Sequence, residues 1–163
     1  MLILKWFVIA VVLLVLVAVA VGQLGFLQGK PPDDLGVREG KLKPPSMTEN
    51  SVTSQAALYP DHPQRKYADI APLPVKGEGP ATIAQIKAIV EGMDGAKVIK
   101  SEPGYLYAQF TTRLMKYVDD VEFWFDAAAN VIHVRSASRV GRGDMGVNRK
   151  RIEAVRAAYD PPK

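Results

Sequence analysis

Two oppositely charged runs lie close together in the C-terminal half of the chain. Lys116 to Asp126 holds four acids and one base, and Arg135 to Arg156 holds seven bases and two acids. Guanidinium forks match the geometry of phosphate and carboxylate. Arg135, Arg139, Arg149 and Arg151 are therefore candidates for binding an anion, with Asn148 orienting the bound group through hydrogen bonds. The same residues have an internal reading. Asp119, Asp120 and Glu122 would neutralise Arg135, Arg139 and Arg113 as a structural ion-pair network. Both readings stand at this level, and they can coexist.

Other chemistry is more tightly bounded. The chain has no cysteine, which excludes disulfides, thiolate metal sites and a cysteine nucleophile. Its two histidines, His62 and His133, have no neighbours at a metal-ligand spacing, so no metal and no cofactor is expected. Ser, His and Asp all occur near the charged segment, which raises a hydrolytic triad. Strand parity speaks against it, since His133 and Arg135 project to one side and Ser136 and Ser138 to the other. No Gly-x-Ser-x-Gly elbow exists, and no catalytic residue is assigned. Gly141 to Gly146 spells G-x-G-x-x-G, but no second strand or acid follows at dinucleotide-fold spacing. Asp144 is better read as a cap for the helix after it.

The elements that must position these residues follow from periodicity. Val121, Phe123 and Phe125 alternate with Glu122, Trp124 and Asp126, the pattern of a strand with one buried face. Ala127 to Asn130 reads as a turn, and Val131 to Ser138 as the return strand. Pairing Asp126 with Val131 sets Phe123 against Val134 on one face. It sets Glu122 against Arg135 and Trp124 against His133 on the other. A slip of one residue would move Glu122 to the apolar face. Thr82 to Met93 has an amphipathic helical spacing, Val98 and Ile99 suggest a short strand, and Tyr105 to Thr111 suggests another. Val147, Ile152, Val155 and Tyr159 form a stripe on a final helix. The fold class is α+β, an antiparallel sheet with two helices over residues 81–163.

Upstream the composition changes twice. Leu2 to Gly22 is almost wholly Val, Leu, Ala and Ile, and no charge occurs from Trp6 to Gly29. Such a run is long enough to span a hydrocarbon core of about 30 Å. Residues 1–24 are read as a transmembrane anchor, with Lys5 favouring a cytoplasmic N-terminus. The competing reading is a signal peptide with a small-x-small site at Ala18-Val19-Ala20, although the apolar run exceeds the usual signal core. Nine of the twelve prolines fall between Gln23 and Pro80, so residues 25–80 are read as an extended tether, partly packed on the domain.

The segments Tyr105 to Asp126 and Val131 to Glu153, with Leu35 to Ser46 and Ser51 to Ala56 upstream, resemble the bacterial and plastid family catalogued as domain of unknown function 1499. The resemblance covers roughly Leu35 to Tyr159. Its specific part matches at Asp119, Asp120, Glu122, Phe123, Ile132, His133, Arg135, Ser136, Ser138, Arg139, Gly146, Asn148, Arg149 and Arg151. Family members often carry a cysteine pair near the start of the domain, where this chain has Pro45 and Ser51. Any disulfide or redox role of that pair is therefore absent here. The resemblance implies no particular activity.

Together these readings lead to a single-pass inner-membrane protein with its folded domain on the periplasmic or other extracytoplasmic side. The expected function is an envelope accessory module that binds an anionic ligand, an envelope lipid or a membrane protein complex, without catalysis. The alternatives are a structural subunit of a larger membrane complex and a small enzyme acting on envelope lipid or glycan. Membrane lipid and a membrane protein complex are the expected partners, and nucleic acid is not.

Overall fold

The computed structural model describes residues 1–160. Its first element is α1 (Leu2–Gln23), whose 22 residues are long and apolar enough to cross a membrane. A signal sequence passes the same test. The body of the protein is an antiparallel sheet. In chain order its elements are β1 (Ser51–Thr53), α2 (Arg65–Ala68), β2 (Leu73–Pro74), α3 (Gly79–Glu91), β3 (Ala96–Glu102), β4 (Tyr105–Thr111), β5 (Val118–Asp126), β6 (Val131–Ser138) and α4 (Val147–Tyr159). The strand order is β1-β6-β5-β4-β3, and β2 also pairs with β6. This is the α+β architecture expected from the periodicity.

The β5–β6 hairpin has the register that its alternation requires. Asp126 faces Val131, Phe123 faces Val134, Glu122 faces Arg135 and Trp124 faces His133. The last two rings stack with centroids 5.4 Å apart. On one face of the sheet Leu106, Val121, Phe123, Ile132 and Val134 are buried beneath Ile83, Ile86 and Val90 of α3 and Ile152 and Val155 of α4. Pro80 stands in the first turn of α3, where its missing N–H costs no hydrogen bond. Gly79 is fixed by a close approach, since a Cβ there would fall about 2.2 Å from the Phe125 ring.

Two elements are longer than their sequence signals. α3 begins at Gly79 rather than Thr82, and β3 runs for seven residues with an irregularity between Val98 and Lys100. The Pro-rich stretch supplies β1 and β2, which share the free edge of β6. Pro74 is tolerated there because an edge strand has one side without ladder bonds. Arginines of α4 hold the connecting chain in place. Arg149 donates to the carbonyls of Tyr67 and Asp69, and Arg156 to those of Ala71 and Pro72.

The second face of the sheet departs most from a simple alternation. Its residues are charged, yet Glu122 is 0% exposed and Arg135 4%. The chain between Lys30 and Pro45, with almost no regular structure, lies across them. Gly36 N–H donates to Glu122 Oε1 at 2.7 Å, and the Pro44 carbonyl accepts from Arg135.

Candidate functional site

Strand parity splits the charged residues between the two faces. On the face covered by the Pro-rich chain, β5 and β6 bring together Asp120, Glu122, Arg135 and Arg139. Arg139 grips Asp120 with both ends of its fork, at 2.8 and 2.7 Å. Tyr107 O–H also donates to Asp120, at 2.5 Å. The bond to Asp120 raises the Arg139 pKa. Burial pushes the Tyr107 hydroxyl up, and its bond to Asp120 adds to this.

The neighbouring pair is looser. Glu122 Oε1 accepts from Tyr105 O–H and Gly36 N–H, both at 2.7 Å. Glu122 Oε2 is buried without a hydrogen-bond partner, and its nearest cation is Arg135 Nη1 at 3.7 Å. Burial, followed by the Glu122 charge, raises the Tyr105 pKa and keeps that hydroxyl a donor. The Arg135 Nε and Nη2 groups reach only the Pro44 carbonyl, both at 3.4 Å. Burial lowers the Arg135 pKa while Glu122 and Asp120 oppose it. An arginine so placed remains charged in a protein. Its donors are therefore underused in a setting where an unmet donor is costly.

Arg135 lies in a cleft of about 340 Å³ that it shares with Arg139, Lys30, Lys43, Asn50 and Asp120. The two lysines open the repeated tripeptides Lys30-Pro31-Pro32 and Lys43-Pro44-Pro45. Lys43 pairs with Asp34 at 2.6 Å, and this bond lowers the Asp34 pKa. Lys30 is exposed and pairs with no carboxylate among the described residues. Four cations here face three carboxylates, Asp34, Asp120 and Glu122, which leaves one positive charge over. Asn50 directs its amide N–H to the Gly141 carbonyl at 2.8 Å, while its buried Oδ1 has no partner. The cleft thus has the underused donors of Arg135, and Asn50 in its wall carries a buried acceptor without a partner among the described residues.

Asn148 and Arg151 lie on the other face and do not join this cleft. Asn148 is fully buried. Its amide N–H groups serve Asn50 O, Ser138 Oγ and Asp144 Oδ2, and its Oδ1 accepts from Ser136 and Arg151. Arg151 pairs with Asp119 at 2.5 Å and lies over the Phe110 ring. Arg149 holds backbone carbonyls, as described above. The five residues expected to bind an anion therefore do not converge, and only Arg135 and Arg139 reach the cleft. The expected network also needs one correction. Arg113 sits on the exposed β4–β5 loop and pairs with no carboxylate among the described residues, because β5 begins only at Val118. Asp119, Asp120 and Glu122 are matched instead by Arg151, Arg139 and Arg135. Lys30, Lys43 and Asn50 were not singled out by sequence. The repeated Lys-Pro-Pro was the available signal for the lysines.

Two motifs resolve as structural. Asp144 accepts from the backbone N–H of Gly146 and Asn148, at 2.9 and 3.0 Å, and so caps α4. Burial raises its pKa, but its bond with Tyr67 and the bonds from Asn148 and Gly146 outweigh this and lower it. Burial and Asp144 in turn push the Tyr67 hydroxyl up to about 12. A Ser-His-Asp chain does exist, through Ser54 rather than Ser136 or Ser138. Ser54 Oγ lies 3.0 Å from His133 Nδ1, and His133 Nε2 lies 3.5 Å from Asp126. Ser54 Oγ also accepts the Val134 N–H at 2.9 Å, so it secures β1 to β6. No group of three or more metal-ligating side chains occurs among the described residues.

A family model described as Protein of unknown function (DUF1499) matches residues 41–159, the greater part of the chain. No curated protein and no solved structure matches it.

Proposed function

The chain belongs to the DUF1499 family, and on that premise we propose that it is a membrane-anchored, extracytoplasmic module that binds a small anion in the cleft above Arg135. One observation carries the reading: a guanidinium that is 4% exposed has no hydrogen bond shorter than 3.4 Å and faces an open cavity with three other cations. The unmet Asn50 acceptor favours an anionic group on a hydroxylated carrier, such as a phosphorylated polyol or a sugar acid. In this reading α1 is retained, its N-terminus is cytoplasmic, and the domain stands on the periplasmic side of the inner membrane. The chemistry is capture rather than turnover.

Thermal unfolding of the full-length protein in mild detergent tests this. Inorganic phosphate, glycerol phosphate and glucuronate are each added against chloride at equal ionic strength. A bound anion stabilises by RT ln(1 + [L]/Kd), about 2.7 kcal/mol at a hundredfold excess over Kd. The expected result is a saturable rise in Tm with at least one of them, weakened by Lys30→Ala. Lys30 is exposed and pairs with no carboxylate among the described residues, so its loss leaves the unliganded Tm unchanged. No rise with any of the three would overturn the reading.

A further inference from the structure

We propose that the face of the domain around the C-terminal end of α1 is seated in the lipid interface, with bilayer lipid filling the groove beneath Phe26 and Leu27. This rests on α1 remaining in the membrane but uses none of the residues of the anion cleft. The exposed large apolar side chains outside α1 are unevenly placed. Leu24, Phe26, Leu114, Tyr117, Met145 and Val147 gather around the end of the helix. Leu24 and Phe26 follow α1 directly, and three residues of chain reach at most about 10 Å. Leu114 is brought there by Gln23, whose side-chain N–H groups donate to the Arg113 and Leu114 carbonyls at 3.2 and 2.8 Å. Gly22 packs so closely on Met115 that a Cβ would lie 2.9 Å from its backbone. The β4–β5 loop is therefore fixed against the membrane end of the helix.

Tyr117, Met145 and Val147 join Phe26 and Leu27 in lining a mostly apolar groove of about 560 Å³. Met145, at 92% exposure, stands in the turn directly before α4. An apolar surface of this kind on a domain marks a binding partner. Its place at the end of an apolar 22-residue helix commits that partner to lipid. Charge agrees. Arg113, Lys116, Arg142 and Lys150 lie on the same loops and the start of α4, and none pairs with a carboxylate among the described residues. Cations beside an apolar, Tyr-containing rim suit an anionic headgroup layer.

The absence of cysteine allows single-site labelling. Full-length Met145→Cys, Leu114→Cys, Ile99→Cys and Val12→Cys variants carry an environment-sensitive fluorophore in vesicles of phosphatidylcholine and phosphatidylglycerol. Ile99 is exposed on the edge strand β3 and outside this face, and Val12 reports on α1. Spin-labelled lipid should quench the labels at 145 and 114 several-fold more than the one at 99, which iodide should quench instead. If iodide reaches 145 and 114 as freely as 99 while lipid quenches 12, the seating is wrong and the anchor stands. If iodide also reaches 12, both fall. Protection of 145 and 114 from both quenchers would mean that protein covers the face, which also overturns the proposal.

Discussion

On one face of the sheet Phe123 is closed off by two helices. On the other, one residue along the same strand, Glu122 is closed off as completely by a chain with almost no regular structure. The first face holds through apolar area and close packing, worth about 25 cal/mol per Å² removed from water. The second is a ladder of ion pairs and tyrosine hydroxyls, in which desolvation offsets much of the attraction. Its stability depends on every partner being present. The difference shows where binding can arise. Among the described residues the apolar face leaves one buried polar atom without a partner, the Tyr159 hydroxyl, while the polar one leaves Arg135, Glu122 Oε2 and Asn50 Oδ1 incompletely matched.

The contrast can be broken first at its strongest point. Phe123→Ala should cost about 3–5 kcal/mol in denaturant unfolding of the full-length protein in detergent, and no second substitution on the polar face should recover it. Arg135→Met leaves Glu122 buried and unpaired, and should cost about 3–4 kcal/mol by the same measurement. Here the double variant Glu122→Met/Arg135→Met should regain most of the loss, because the cost is an orphaned charge rather than a void. A double variant no better than the single would place the stabilisation in other contacts of Glu122.

Smaller effects sharpen the comparison. Asp144→Ala removes the cap of α4 and should cost about 0.5–2 kcal/mol, read as earlier thermal loss of helical signal. The weakest is a pH effect. Burial lowers the His133 pKa despite the opposing charge of Asp126, so the unfolded chain binds this proton more readily than the folded one. Stability should therefore fall as pH drops below about 6.5, and His133→Gln should remove that slope. A slope of opposite sign would mean that Asp126 outweighs burial.

The sequence made some of this legible. The hairpin register was readable because its turn is short and its aromatic alternation unbroken. That register also placed Glu122 opposite Arg135. The burial of that pair was not readable, because the covering chain is rich in proline and carries no period that points to a partner. Charge groups Arg149 and Arg151 with Arg135 and Arg139 and hydrogen-bonding capacity adds Asn148, but helix phase sends these three away from the cleft. Asn148 stands four residues before Ile152 and seven before Val155, which puts it on the buried stripe of α4. Arg113 stands near the acids in sequence, but its loop carries it past the end of the ladder.

The cover on the polar face also sets an order of events. The β3–β6 meander closes through neighbouring hairpins, whereas the contact between Pro44 and Arg135 spans 91 residues. Short loops close quickly, and long-range contacts slow folding. Refolding should then pass through an assembly in which the helices are docked while Glu122 and Arg135 are still wet. In that species the part of the outer edge of β6 from Arg135 to Ala137 is unpaired, and pulse-labelled amide exchange should find that part protected on one side only. Until β1 arrives, that stretch of edge is open to pairing with the β6 of another chain, and the Pro-rich segment doubles as a guard against self-association.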